Sequence, residues 1–364
     1  MTVVRRLGLG LAAPLLAFAV AAVMTTLVLL SAGDAPADFW SIIFDWPANR
    51  NLVNIGNNAA TLYLAGLAAA IGFRMNLFNI GVEGQYRIAT FAGAVFAGEA
   101  FLPGALNTVA TLVVAMAAGA AWAGIAGILR VTRGVSEVIS TIMLNAIAGL
   151  LVAYLLRKVG SRSGLTLVTD PIPETSWVPS IPLLPGAPNE LYGLALLAVA
   201  AGVGFSVLLN WTRFGFDLRA TGQSQTAAVA SGVNVKRMVL NTMLLSGAVA
   251  GLIGMPQLFG DSHAYGSTIQ TGVGFAGIAV ALLGRNNPLG IAAGALIFAY
   301  LTEQANALDI VAGISPDIVA VTQGVVVLSV VIAYEVVRRY RNRMEQQEVA
   351  RALGAIPASE GVAT

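Results

Sequence analysis

The chain has 364 residues, of which 57% are hydrophobic and only 10% charged, with a mean hydropathy of +0.79 and a formal net charge of +2. That balance lies outside the range of soluble globular domains and marks an integral membrane protein. The absence of cysteine excludes disulfides, thiolate metal sites and a cysteine nucleophile, and basic residues in short clusters at span ends read as topology rather than nucleic-acid binding.

The apolar runs are continuous and lack the alternation of a barrel strand, while 40 glycines suit helices that pack backbone to backbone in lipid. The expected fold class is all-α: a polytopic membrane helix bundle. About ten stretches are long enough to cross roughly 30 Å of hydrocarbon. They lie near 8–32, 52–72, 78–102, 107–129, 135–156, 191–211, 239–260, 271–284, 288–304 and 317–337, the third and eighth being the least sharply bounded. The first follows Arg5 and Arg6 and precedes Ala35-Pro36-Ala37, which resembles a cleavage site. Its apolar core is too long for a signal peptide, so it is expected to remain as a helix.

Threaded alternately, ten spans place Arg5, Arg6, Arg130, Arg133, Arg213, Arg219, Lys236, Arg237, Arg285, Arg338, Arg339, Arg341 and Arg343 on one side, which predicts both termini in the cytoplasm. Arg50, Arg157, Lys158 and Arg162 fall on the other. Residues 1–344 are expected to form one transmembrane domain, with 345–364 a short cytoplasmic tail.

The run from Gly72 to Gly98 sets Arg74, Asn76, Asn79, Glu83, Gln85 and Arg87 in or beside the third span. A charge near the middle of a membrane helix costs about 2.5 to 3.5 kcal/mol on insertion scales, so these groups need burial inside a bundle or a task. Asn79 can cap a helix start, and Gly81 and Gly84 permit close packing or a helix break, as where discontinuous helices bind solute. Asn57 and Asn58 in the second span, and Ser140, Thr141 and Asn145 in the fifth, are similar candidates for lining a path. The alternative is that these groups stitch helices together by hydrogen bonds.

Two segments outside the bilayer stand out. The outer loop 157–190 carries Pro171, Pro173, Pro179, Pro182, Pro185 and Pro188, which favours a turn-rich surface, either a connector or a docking face for an external partner. The inner segment 213–237 contains a helix-compatible stretch from Gln223 to Ala230 between Gly222 and Gly232, flanked by basic residues. No phosphate loop of the form GxxxxGK[ST] is present, since Lys158 follows Arg157 and Lys236 follows Val235. No zinc or nucleophile-elbow motif occurs either, and His263 reads as an interfacial residue, so no catalytic role is expected.

MNLFNIGVEGQ at 75–85, SEVISTIMLNAIA at 136–148 and DLRATGQSQTAAVASGVNV at 217–235 together resemble the permease subunits of bacterial ATP-binding-cassette importers. The closer likeness is to the nucleoside and simple-sugar branch, related to branched-chain amino acid permeases, and it covers about 50–337. The resemblance implies that a separate cytoplasmic ATPase binds ATP and magnesium, with no cofactor in this chain. It implies that 217–235 docks in a groove on that ATPase, with Gly222, Ala227, Ala228 and Gly232 at pattern positions and Arg219 and Lys236 free to pair with acidic groups. Ser224 stands where asparagine is common in the family, and Thr226 where other importer families often carry glutamate. Further implied partners are a second permease subunit, identical or similar, an external solute-binding protein and membrane lipid, with no nucleic acid. The place would be the bacterial inner membrane. The resemblance also suggests that spans 2–5 and 7–10 form an inverted repeat. A purine nucleoside leads among solutes, then simple sugars, then branched-chain amino acids. Rival readings are a secondary transporter with Glu83 as its ion-coupling carboxylate, and a non-transporting scaffold or receptor.

Overall fold

The computed structural model describes residues 3–354; residues 355–364 of the expected tail lie outside the described residues, and Arg5, Arg6 and Arg341 fall where side chains are not described. The described residues form two compact units, one from the stretch up to Ile42 together with that from Leu308 onward, the other Ile43–Ala307.

In the first unit, α1 (Val3–Ala32) packs along α14 (Pro316–Gly354). The short α2 (Pro36–Ile43) begins in it, and Trp40 Nε1 donates to Thr26 Oγ1 at 3.0 Å, folding the start of α2 back onto α1.

The second unit holds the polar run. Its helices are α3 (Asn49–Arg74), α4 (Val82–Gly98), α5 (Gly104–Arg133), α6 (Glu137–Val159), α7 (Leu196–Trp211), α8 (Arg213–Gln223), α9 (Gln225–Ala230), α10 (Val235–Ala250), α11 (Met255–Gln257), α12 (Val273–Leu283) and most of α13 (Pro288–Ala312). Among the described residues, five helical stretches are long and apolar enough to cross a membrane by length and composition: Gly104–Arg133, Glu137–Val159, Gly193–Trp211, Val235–Ser262 and Pro316–Met344. Leu16–Ala32 and Val273–Leu283 are shorter apolar helices. On α5, α6 and α7, large apolar side chains such as Val109, Val113, Ile139, Leu150, Val199 and Val203 are exposed, the surface a lipid-facing helix presents.

Close packing comes from small residues. A side chain at Gly119 on α5 would fall on the carbonyl oxygen of Gly247 on α10, and one at Gly247 on that of Gly119. The two backbones therefore touch, with Ala115 and Ala123 in the same seam, as in membrane helices held by dispersion contacts. The centre of the unit is α3, whose Leu64–Gly72 stretch is continuously buried, with α10 and α12 packed against it.

The third span begins later than its hydropathy predicts. Helix α4 starts at Val82 rather than 78, because α3 ends at Arg74 and the chain then turns through Asn76 (φ 59°). The eighth is reduced to the 11 residues of α12, entered through Gly272 (φ 85°).

The proline-rich loop 157–190 is turn-rich, as its prolines predict, but firmly attached. A two-stranded antiparallel hairpin, β1 (Ser161–Ser163) and β2 (Thr166–Val168), leads into it. Thr169 N–H donates to the Tyr265 carbonyl and Ile172 N–H to that of His263, burying the Ile172 side chain. The Trp177 ring stacks on His263 at 3.7 Å between centroids. Thr108 Oγ1 donates to the Ser176 carbonyl, tying the loop to α5.

Candidate functional site

Two polar arrangements occupy the second unit, and they meet at the start of α12. The first gathers around the N-terminus of α4. A helix N-terminus leaves N–H groups without intrahelical partners, a serious cost away from water. Asn79 Oδ1 accepts from Gly81 N–H at 3.0 Å and from Gln85 Nε2 at 2.9 Å, while its Nδ2 donates to Gln85 Oε1 and to Ser246 Oγ of α10. Ser246 Oγ in turn donates to the Ala68 carbonyl of α3. From α6, Asn145 Oδ1 accepts from Gly84 N–H at 2.9 Å and Nδ2 donates to the Ile80 carbonyl at 2.9 Å. The broken entry to α4 is thus bonded by side chains from three elements.

Glu83 bridges α4 to α12. It is 4% exposed, and its Oε1 accepts from Gly272 N–H and its Oε2 from Gly274 N–H, each at 2.9 Å. A carboxylate is the natural cap for such an end, since the helix dipole adds to the two hydrogen bonds. The approach is backbone to backbone: a Cβ at Gly274 would fall on the Glu83 main-chain nitrogen. Ser140 and Thr141 are buried on α6 but donate back along the chain, Ser140 to the Ser136 carbonyl and Thr141 to those of Glu137 and Val138. Arg87, one turn after Glu83, lies against Gly149.

The second arrangement is a cavity of about 340 Å³, within the range of about 300–1,000 Å³ usual for ligand sites. Helix α3 supplies Asn54, Asn57, Asn58 and Thr61 along one wall, a spacing that keeps them on one helix face. Thr302, Glu303 and Asn306 of α13 face them. Tyr192, Gln257, Asp261 and Gln270 close the sides. Asn57 is pinned to the outer loop, its Oδ1 accepting from Tyr192 N–H and its Nδ2 donating to the Glu190 carbonyl. Asn58 Oδ1 accepts from Gln270 Nε2 at 3.2 Å. Asn54 Nδ2 donates to Glu303 Oε1 at 2.8 Å. Burial pushes the Tyr192 phenol up to about 12, with the Asp261 carboxylate adding to the effect, so the phenol stays a neutral donor at any physiological pH.

A second cavity of about 190 Å³ shares Asn58, Gln270 and Thr302 with the first and reaches Gly272, the residue whose N–H is held by Glu83. The polar cavity, a smaller space edged by Leu62, Val273 and Ala276, and the Glu83 bridge follow one another along the same helices. Of the residues singled out in sequence, Asn57 and Asn58 line the cavity, whereas Asn79, Glu83, Gln85 and Asn145 build the junction beyond it. Sequence reasoning passed over Asn54, Gln257, Asp261, Gln270, Glu303 and Asn306. The signal was present in the asparagines repeating along α3 and in the run Thr302-Glu303-Gln304 inside an otherwise apolar helix.

The segment 213–237 lies at the other end of α3 from the cavity. Thr212 Oγ1 caps α8 and Ser224 Oγ caps α9, accepting from Gly215 and Ala227 N–H respectively. Gly222 lies within α8 rather than bounding it, and a side chain there would fall on the Arg74 carbonyl at the end of α3. Ala228 is 2% exposed, Ala227 and Lys236 are exposed, and Arg219 is half-buried. Gly232 (φ 83°) ends the segment before Asn234 caps α10. Among the described residues no cluster of three or more acidic or histidine side chains could hold a metal ion.

Residues 51–333 match the family described as branched-chain amino acid transport system / permease component. The chain is 33% identical over 330 residues to the guanosine ABC transporter permease protein NupP of Bacillus subtilis, covering 89% of this chain and 93% of that one. It is 31% identical over 338 residues to the glucose ABC transporter permease protein TsgB13 of Haloferax volcanii, with 88% of each covered. It is 29% identical over 337 residues to the nucleoside ABC transporter permease protein NupB of Lactococcus lactis, covering 88% of this chain and 90% of that one. No solved structure matches the chain. A family match over most of the chain, carried by apolar helices of spanning length, settles its class: the protein is a multi-pass membrane protein belonging to the permease-component family of branched-chain amino acid type transport systems.

Proposed function

We propose that the chain is the membrane-spanning subunit of an ATP-binding-cassette importer for a nucleoside or simple sugar in a bacterial inner membrane. The observation that carries this reading is the cavity of amides and hydroxyls in the second unit, next to a closed helix junction. A nucleoside or sugar presents many donors and acceptors, which such a lining can satisfy in place of water. Relatives named for guanosine, nucleoside and glucose transport support that solute class over a branched-chain amino acid.

In this reading the solute enters from the outside through the cavity walled by Asn54, Asn57 and Asn58. It is stopped at the junction where Glu83 caps α12. Asn79, Gln85 and Asn145 hold that junction, and Ser140 and Thr141 pack behind it. About ten spans cross the membrane with both termini inside, residues 1–344 acting as one permease. The opposed starts of α4 and α12 fit an inverted repeat of spans 2–5 and 7–10, because equivalent spans five apart point oppositely.

Energy comes from a separate ATPase that binds ATP and magnesium. The α8–α9 elbow meets it, with Arg219, Ala227, Gly232 and Lys236 toward the partner and Gly222 and Ala228 seating the elbow on its own chain. A second permease, identical or similar, completes the pathway, and an external binding protein delivers the solute. An ion-coupled carrier would need Glu83 free to exchange protons; the engagement of both its oxygens by main-chain N–H groups argues for a positioning role. The test is reconstitution. The purified chain alone is expected neither to bind nor to hydrolyse ATP, and to support uptake in vesicles only with an ATPase partner. ATP turnover by the chain alone, or uptake that follows an imposed ion gradient without the partner, would overturn the reading.

A further inference from the structure

The lining of the 340 Å³ cavity is chemically one-sided. It contains two carboxylates, Asp261 and Glu303, and no lysine, arginine or histidine. Glu303 is 8% exposed and accepts from the neutral amide of Asn54. Neither carboxylate is ion-paired among the described residues: the salt bridges there join Arg130 to Glu137, and Glu335 to Arg338 and Arg339. The remaining lining groups are neutral and amphoteric, able to donate or accept. The N-terminus of α12 is already taken by Glu83.

A pair of carboxylates without a cation in the lining, Glu303 buried and Asp261 exposed, gives the open cavity a negative potential. Amides and hydroxyls alone would accept a phosphate ester about as readily as a free hydroxyl. With Asp261 and Glu303 among them, an anion meets repulsion with no cation to answer it, while an uncharged hydroxyl or a protonated amine finds acceptors. A zwitterionic amino acid fares poorly too, because its carboxylate needs a cation or a cluster of free N–H groups.

We infer that this cavity is a charge filter: it admits neutral or cationic solutes rich in hydroxyl or amine groups and turns away phosphorylated and carboxylated ones, with Asp261 and Glu303 as the discriminating residues. The inference rests on the cavity lying on the solute path. It gives the permease a selectivity of its own, distinct from any exercised by an external binding protein.

The chain has no cysteine, so an Asn306→Cys substitution at the exposed rim of the cavity supplies a single reporter thiol. Its rates of modification by a cationic and an anionic methanethiosulfonate reagent, measured on the purified chain in nanodiscs, read the local potential. The cationic-to-anionic ratio is expected to exceed that of a free thiol by about tenfold or more, the scale on which a focused field concentrates counter-ions. Adding Asp261→Asn and Glu303→Gln should return the ratio to within about threefold of the free thiol. In the parent carrying only Asn306→Cys, guanosine or glucose should slow modification, and guanosine monophosphate or glucose 6-phosphate at equal concentration should not. That comparison stands even where the neutralised variant fails to fold. A ratio equal to that of a free thiol, a ratio unmoved in a folded neutralised variant, equal protection by neutral and phosphorylated solutes, or protection by neither would each overturn the inference. Whether the cavity lies on the path is read separately, from ATP-driven uptake by the assembled importer after the thiol has been modified. Undiminished uptake would remove the path while leaving the measured potential intact.

Discussion

Replacing Glu83 with alanine removes the side chain that caps α12. Two main-chain N–H groups, those of Gly272 and Gly274, then lose their acceptor in a site where Glu83 itself is 4% exposed. Hydrogen bonds to a charged group contribute about 1.5–3 kcal/mol each, so the pair amounts to about 3–6 kcal/mol, with the helix dipole included in that charge-assisted figure rather than added to it. Glu83→Gln keeps the shape and one good acceptor but presents an NH2 group to the second N–H, and about half of the loss is expected. Equilibrium unfolding in mixed detergent micelles measures both, with Ser140→Ala as a comparison, since that hydroxyl bonds only its own helix. If Glu83→Ala is within about 1 kcal/mol of the parent, or if Glu83→Gln is as damaging as Glu83→Ala, the capping argument is wrong.

Asn145→Ala leaves Gly84 N–H and the Ile80 carbonyl unbonded and is expected to cost about 2–4 kcal/mol in the same assay, more than Thr141→Ala. Gly222→Val forces α8 off the Arg74 carbonyl, so ATPase activity of the assembled importer should cease to respond to solute while membrane insertion remains normal, as read by protease protection. Burial holds the His263 imidazole below its usual range, although Asp261 pulls the other way. The folded state therefore favours neutral His263. Its contribution is whole above the unfolded value near 6.5 and falls as pH drops below it, levelling off beneath the folded value. Hydrogen-exchange protection at Ile172 and Trp177, taken relative to the intrinsic rate at each pH, should fall as pH drops through that interval, and in a His263→Phe variant, which keeps a ring against Trp177, that fall should vanish.

The energetic oddity of Glu83 was legible in the sequence because a carboxylate in an apolar stretch must be answered by something. What answers it was not legible: the partners are main-chain N–H groups some 190 residues downstream, and glycines at 272 and 274 carry no side-chain signature of that role. Asn79 and Gln85 were foreseeable as a local pair six residues apart, whereas the contribution of Ser246 needed α10 to be packed on α3. The cavity was harder to see. Asn54, Gln270 and Asn306 sit near the ends of apolar stretches, where polar residues normally meet water, so hydropathy alone could not separate a wet interface from a lined cavity. The late start of α4 has a simple cause: the residues from Asn76 to Gly81 are apolar enough to extend a hydropathy window but form a turn. In the inner segment the residue types of 223–230 foretold a short helix, and the capping by Ser224 fixed where it begins.

The bridge between α4 and α12 also bears on how the protein meets an electric field. Its negative charge is tied to main-chain amides rather than to a mobile cation. One charge crossing the whole bilayer responds by about 2.3 kcal/mol per 100 mV, so a rocking motion that carried Glu83 through a tenth of that span would change by only about 0.2 kcal/mol. A closure of this kind keeps nearly the same threshold in an energised and a de-energised membrane. In the proposed importer its opening would be set by the partner that moves the helices, not by the voltage across them.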